Sequence, residues 1–504
     1  MRAGMGSSVV ERSGATRLEA ASAVFARPVV HLSAIVLLAA ALGIGGVARE
    51  PLDGDPAMYA TIARTIVDAG EWTHLTFNGV PYVNKPPLHF WLNALVFRSL
   101  GMSTFTAILV PGLLGVVCVL LVYALVRRTL SHDAAPSEDA IDGGAEPALL
   151  AALVYLTTPE VAHWSRGVHL ETLVTAWILL GLLAAYRSVD EPSAILWLGV
   201  AAVGGWFAKG PQGLFPVVVA VVLWAHAGIL VARLWSRWSL GAAVLAVVTV
   251  GPWLAARLDE GSDFGRAYFE GQIGQVLFEG GELVRGPFWY IGKLFRTYWP
   301  WLPAALVGIA VLAGRWRDSL GARLWLVYGT IILLVISAAV GKKSRYLFQL
   351  YPAFAAASGI ALARVARRMP SVPFLIFCGA AIATLVVVAR GEHVSRSQRA
   401  HTEAALAVAA LLPRDARVWL THEVQYGQPQ LGKIVGFYGP PLLRTCRSTC
   451  EGEAADGDAV IARDHEADGV VRALGAEVRA RHGVLVLLAV VPARAEHASM
   501  RDFR

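Results

Sequence analysis

The chain has 504 residues, 56% of them hydrophobic and 16% charged, with a mean hydropathy of +0.54. That is too apolar for a soluble globular protein, and the succession of apolar runs of about 20 residues excludes a membrane β-barrel, whose signature is alternation over roughly ten. The formal net charge of +7 does not indicate nucleic acid, because the basic residues are strung between the apolar runs and not gathered into one basic region.

Residues 1 to 28 carry Arg2, Arg12, Arg17 and Arg27 and read as a cytoplasmic tail ahead of a first span, Val29 to Val47. The long tail and the length of this run favour a retained helix over a cleaved signal peptide. A polar stretch follows, Leu52 to Trp91, in which Asp53 and Asp55 stand just beyond the first span and Lys85 precedes Pro86-Pro87, which cannot both continue a helix. Further spans are predicted at Phe105 to Val126, Ala148 to Ala162, Val168 to Tyr186, Ala194 to Phe207, Gly213 to Val231, Leu240 to Ala256, Trp299 to Ala313, Leu324 to Val340, Tyr346 to Leu362 and Val372 to Val388. Beyond Arg390 strand-like runs (Arg417 to Leu420, Lys433 to Tyr438, Ala459 to Ala462, Gly483 to Val491) alternate with a helix-like stretch, Asp464 to Leu474. The expected fold is an all-α polytopic membrane protein of about 11–13 transmembrane helices. Residues 29–390 form its membrane domain, with an outer loop at 48–104, and residues 391–504 a small α/β extracytoplasmic domain.

Arg127 and Arg128, Arg187, Arg233 and Arg237, Arg315 and Arg317, and Arg364, Arg367 and Arg368 fall on the side of the N-terminal tail once the spans alternate, which makes that side the cytoplasm. The acidic connector His132 to Glu146 lies there too and reads as a disordered link. Lys85, Lys209, Lys293, Lys342 and Lys343 fall on the opposite, outer side, where the positive-inside tendency depletes lysine. Cations set against that bias suggest an anionic ligand, with snorkelling at helix ends as the competing reading.

Asp55 carries two compatible readings: a general base for a hydroxyl attacking an anomeric carbon, and an N-cap for the amphipathic stretch Ala57 to Asp68. His163, Arg166, His169 and Glu171 form a second outer cluster, and an acid just inside a span is expensive unless it faces a polar cavity. Asp55 and Glu171, with His163 or His169, are a candidate set for a divalent metal ion, although their spacing matches no metal signature; interfacial histidines are the alternative. Lys342, Lys343, Arg345 and Tyr346 in GKKSRYLFQLYP suit a phosphate or pyrophosphate leaving group, and Lys209 in AKGP either joins them or ends its span. Trp206, Trp253, Trp289, Trp299 and Trp301 read as interface anchors. Cys118 and Cys378 lie in apolar runs, while Cys446 and Cys450 form either a disulfide or two free thiols.

DPAMYATIAR, GEW, NGVPYVNKPPLHFWL, AKGPQGLFP and KKSRYLFQLYPAFA, in register from about residue 30 to 390, resemble the bacterial aminoarabinose transferase branch of the protein-O-mannosyltransferase-like membrane glycosyltransferases. The resemblance implies a type C glycosyltransferase with an outward-facing site in the plasma (inner) membrane. Such an enzyme takes a sugar from a polyprenyl phosphate, such as undecaprenyl phosphate, and passes it to a lipid or polysaccharide acceptor. It also implies that Asp55 and Glu171 are catalytic acids, and that Lys85, Lys209, Lys343, Arg345, Tyr346, Tyr59 and Tyr82 bind the donor and its phosphate. Met58 and Asn84 stand where the family often carries Arg and Glu, which leaves the sugar and the acceptor open.

Overall fold

The computed structural model describes residues 28–45, 51–133, 145–259, 268, 274, 278, 284–369, 371–390, 396–427, 429–441, 443–447 and 449–491. The expected tail, most of the connector at 132–146 and much of the loop at 257–296 lie outside them. Two compact units divide the chain: Met1–Val47, Val83–His89 and Ile108–Arg390 form the first, and Ala48–Tyr82, Phe90–Ala107 and Gly391–Arg504 the second. The stretches 48–82 and 90–107, which the sequence places with the membrane domain, thus group with the C-terminal residues.

The first unit is helical because apolar sequence without water must satisfy its backbone within each segment. Each expected span from the first to the last corresponds to a helix, from Pro28–Ile44 to Val372–Arg390. Among the described residues, Thr104–Thr129, Ala194–His226, Arg237–Leu258, Leu320–Ala338 and Val372–Ala389 are long and apolar enough to cross a membrane. Val30–Ile44, Ala145–Thr157 and Tyr351–Ala366 are shorter apolar helices. The run read as Ala148 to Ala162 breaks into Ala145–Thr157 and Pro159–Ser165, with Pro159 at the first turn of the second piece. Trp289–Thr297 and Leu302–Gly314 are bent by 118° from one another, since Pro300, in the intervening YWPW, cannot extend one helix. The Tyr351–Ala366 helix is buried almost throughout, and its alanines let Ala145–Thr157 and Leu302–Gly314 approach it closely.

In the second unit the helix Gly54–Ala69 is followed by a hairpin of β1 (Thr76–Phe77) and β2 (Val80–Pro81). Its turn is Asn78-Gly79, both at positive φ, as the tightest hairpin connection needs. The C-terminal residues supply β3 (Val418–Leu420), β4 (Leu443–Thr445), β5 (Ala459–Arg463), β6 (Glu477–His482) and β7 (Leu485–Ala489) in the order β4-β3-β5-β7-β6. The β3 pairings are parallel, while β7 runs antiparallel to both β5 and β6. Cys446 and Cys450 are disulfide-bonded and buried in the core of this sheet.

One C-terminal expectation is overturned. Lys433 to Tyr438, read as strand-like, is the second half of a helix, Pro429–Tyr438. Pro429 presets the first turn, and Leu431, Ile434 and Val435 fall at helical spacing and are all buried.

Candidate functional site

Three breaks in helical structure bring cations to one cavity of the first unit. Lys85 sits on the bend before Pro86-Pro87, ahead of the helix Leu88–Leu100. Lys209 is the last residue of Ala194–Lys209, where a cation complements the helix dipole. Gly210 then turns the chain at φ 75°, and a Cβ there would lie 2.5 Å from the Tyr268 hydroxyl. Lys343, extended, leads from Leu320–Ala338 into the short 3-10 turn Ser344–Gln349, which carries Arg345 and Tyr346. The Tyr290 hydroxyl donates to the Lys343 carbonyl at 3.1 Å and pins this crossing.

The cavity has a volume of about 290 Å³. Lys85, Lys209, Lys343, Arg345, Tyr346 and Tyr268 line its polar part, and Phe215, Val335, Ile336 and Ala339 its apolar wall. Glu171 offsets part of the positive charge. It opens the helix Glu171–Arg187, is 2% exposed, and accepts from Lys209 Nζ at 2.8 Å, with Arg345 Nε at 3.9 Å from the same oxygen. Lys209 Nζ also stands 5.8 Å from the centre of the Tyr346 ring. Burial, followed by the charges of Arg345, Lys209 and Lys343, pulls the half-buried Lys85 down to about 7, with Glu171 opposing. Fixed cations beside an apolar wall can take a phosphate whose other end is a hydrocarbon chain.

Not every expected cation arrives. Lys342 turns away: its Nζ donates to the carbonyls of Ser337, at 2.8 Å, and Ala339, closing the C-terminus of its helix. Arg166 is structural, donating to the carbonyls of Val387 at 3.0 Å and Gly45 at 3.3 Å. His163 and His169 pack edge-on to Trp164, with ring centres 4.8 and 4.6 Å away.

In the second unit Asp53, not Asp55, holds the N-cap position of Gly54–Ala69; Asp55 lies in the first helical turn and pairs with Lys433 Nζ at 3.0 Å. Tyr59 and Tyr82 are buried against Phe90, at 5.7 and 5.6 Å between ring centres. Among the described residues no three His, Cys, Asp or Glu side chains gather as a metal-binding group. Glu171 faces Lys209 and Arg345, and Asp55 faces Lys433, where a divalent cation would need further oxygen or imidazole donors. Sequence reading also passed over Tyr268, which no motif marks, and Lys433.

These features define a multi-pass helical membrane protein with a cationic cavity that has one apolar wall. The family model for dolichyl-phosphate-mannose-protein mannosyltransferase matches residues 84–255. An undecaprenyl phosphate-alpha-4-amino-4-deoxy-L-arabinose arabinosyl transferase of Edwardsiella ictaluri is 29% identical over 312 residues, 60% of this chain and 53% of the relative. A namesake from Pseudomonas fluorescens is 28% identical over 58% of this chain and 50% of its own. The chain thus spans about half the length of the curated relatives it matches. In structure it is similar to ArnT from Cupriavidus metallidurans bound to undecaprenyl phosphate, with a TM-score of 0.69, 16% identity and coverage of 93% of this chain and 99% of that one. The Archaeoglobus fulgidus oligosaccharyltransferase follows at 0.52, with 14% identity over 82% of this chain and 62% of its own. The fold is that of the type C glycosyltransferases, and the resemblance to the aminoarabinose-transferase-like, protein-O-mannosyltransferase-like membrane family holds in sequence as well as in fold.

Proposed function

We propose that this protein is a membrane glycosyltransferase that takes a sugar from a polyprenyl-phosphate donor and transfers it to an extracytoplasmic lipid or polysaccharide acceptor. The observation that carries the proposal is the cavity in which Lys85, Lys209, Lys343 and Arg345 meet an apolar wall. The names of the relatives from Edwardsiella ictaluri and Pseudomonas fluorescens support an undecaprenyl-phosphate donor. In the reaction a bond forms between the acceptor oxygen and the anomeric carbon as the bond from that carbon to the phosphate oxygen breaks. The bonding pair leaves with the polyprenyl phosphate, and the growing charge is stabilised by the fixed cations. Asp55, whose side chain is 35% exposed, orients or deprotonates the acceptor hydroxyl and receives its proton. The site faces the outer side of the plasma membrane, away from cytosolic nucleotide sugars, in keeping with the arginine distribution.

The experiment is to incubate the purified protein in lipid nanodiscs with labelled polyprenyl-phosphate sugars and membrane lipid or polysaccharide. The proposal expects release of polyprenyl phosphate together with labelled acceptor. Binding of the lipid without release from any donor would make the protein a carrier or binding protein instead.

A further inference from the structure

In the second unit, the helix Pro429–Tyr438 lies along Gly54–Ala69, although the two are hundreds of residues apart in sequence. The contact is specific and buried. Arg64 donates through Nη1 to the carbonyls of Phe437 at 2.8 Å and Gly439 at 2.6 Å, placing a cation at the negative end of the C-terminal helix. Asn78 Nδ2 donates to Gln425 Oε1 at 2.9 Å and to the Gly432 carbonyl at 3.0 Å. A Cβ on Gly436 would come within 2.6 Å of Asn78 Oδ1 and 3.0 Å of Thr61, so a larger residue would have to displace the Asn78 side chain. The Tyr438 hydroxyl accepts from the Leu52 backbone N–H at 2.7 Å and shares a hydrogen bond with Thr104 at 3.0 Å. The same C-terminal end of the helix is thereby held a second time, and the helix carries Lys433, whose side chain is 13% exposed and whose Nζ lies 3.0 Å from Asp55 Oδ1.

We infer that Lys433 is a positioning residue for Asp55: the C-terminal segment, held on the Gly54–Ala69 helix by Arg64, Asn78 and Tyr438, aims the Asp55 carboxylate. This rests on the reading of Asp55 as the group that engages the acceptor. An ammonium bound to a single carboxylate oxygen fixes the plane of the group, and Asp55 still keeps 35% of its side chain exposed. A lysine with its stem buried loses little further freedom in holding that geometry. The C-terminal α/β residues thus take part in the reaction without touching the substrate.

The test is steady-state transfer in nanodiscs by Lys433→Met, Lys433→Arg and Asp55→Asn, with donor concentration varied and thermal melting followed in parallel. The inference expects Lys433→Met to lower kcat about tenfold or more with donor KM within about twofold of wild type, and Lys433→Arg to restore most of the loss. A wild-type kcat in Lys433→Met, with Asp55→Asn inactive, overturns the inference alone. So does a loss in Lys433→Met that Lys433→Arg shares in full and that tracks a lowered melting temperature, since that marks a merely structural contact. Full transfer by Asp55→Asn overturns the underlying reading of Asp55, and the inference with it.

Discussion

Lys209 Nζ lies 2.8 Å from Glu171 Oε1, and both side chains are almost fully buried, at 7% and 2% exposure. An ion pair so far from water stabilises little relative to an apolar pair, but removing one partner strands a charge. Lys209→Met alone is expected to destabilise the protein by about 3–5 kcal/mol. Adding Glu171→Gln should recover a large part of that loss. Thermal melting of the two singles and the double in detergent checks this; additive losses would show that the pair is not coupled.

Lys85 should make phosphate binding pH-dependent. Burial, then the cations Arg345, Lys209 and Lys343, bring it to about 7, so the group is charged below that value and neutral above. An anion favours the charged form and raises this value, so binding takes up a proton and affinity falls as pH rises through 7 toward 9. Lys85→Arg, always charged, should flatten the profile. Binding of a polyprenyl phosphodiester, whose own charge is constant over that range, measured from pH 6 to 9 in both proteins, is the check.

Gly210 has no tolerant substitute. Its φ of 75° disfavours any side chain, and the Tyr268 hydroxyl occupies the space a Cβ would need. Gly210→Ala should cost about 1–3 kcal/mol and displace Lys209 from the cavity. It should therefore weaken phosphate binding where Gly228→Ala, also at positive φ but with nothing within 4 Å of its Cβ, should leave binding unchanged.

Asp55→Asn tests the chemistry apart from the binding. Transfer is expected to fall at least a hundredfold, the usual contribution of a positioned base, while the affinity for polyprenyl phosphate stays within about twofold. Full transfer by the variant would remove Asp55 from the reaction.

Much of this was legible in the sequence, for identifiable reasons. Long apolar runs announce helices whatever their neighbours, and Lys85, Lys209, Lys343 and Arg345 stood out because each sits where proline, glycine or a run's end interrupts a helix. Neighbouring residues proved harder to separate. Lys342 and Lys343 are adjacent and chemically identical, yet the open carbonyls at the end of Leu320–Ala338 capture the first and leave the second to the cavity. The run Lys433 to Tyr438 is too short and apolar for periodicity to distinguish helix from strand, and β6, EVRARH, is too charged to be noticed as one. Lys433 lies 378 residues from Asp55, and local sequence holds no trace of such a pairing.

The most direct measurement of the central claim is equilibrium binding of radiolabelled undecaprenyl phosphate to the purified protein in nanodiscs, wild type against Lys343→Ala/Arg345→Ala. Each charge-assisted hydrogen bond to phosphate contributes about 1.5–3 kcal/mol, so the account predicts saturable binding by the wild type and at least a tenfold loss in the double variant. Equal affinity in the two would place the lipid phosphate elsewhere and contradict the account.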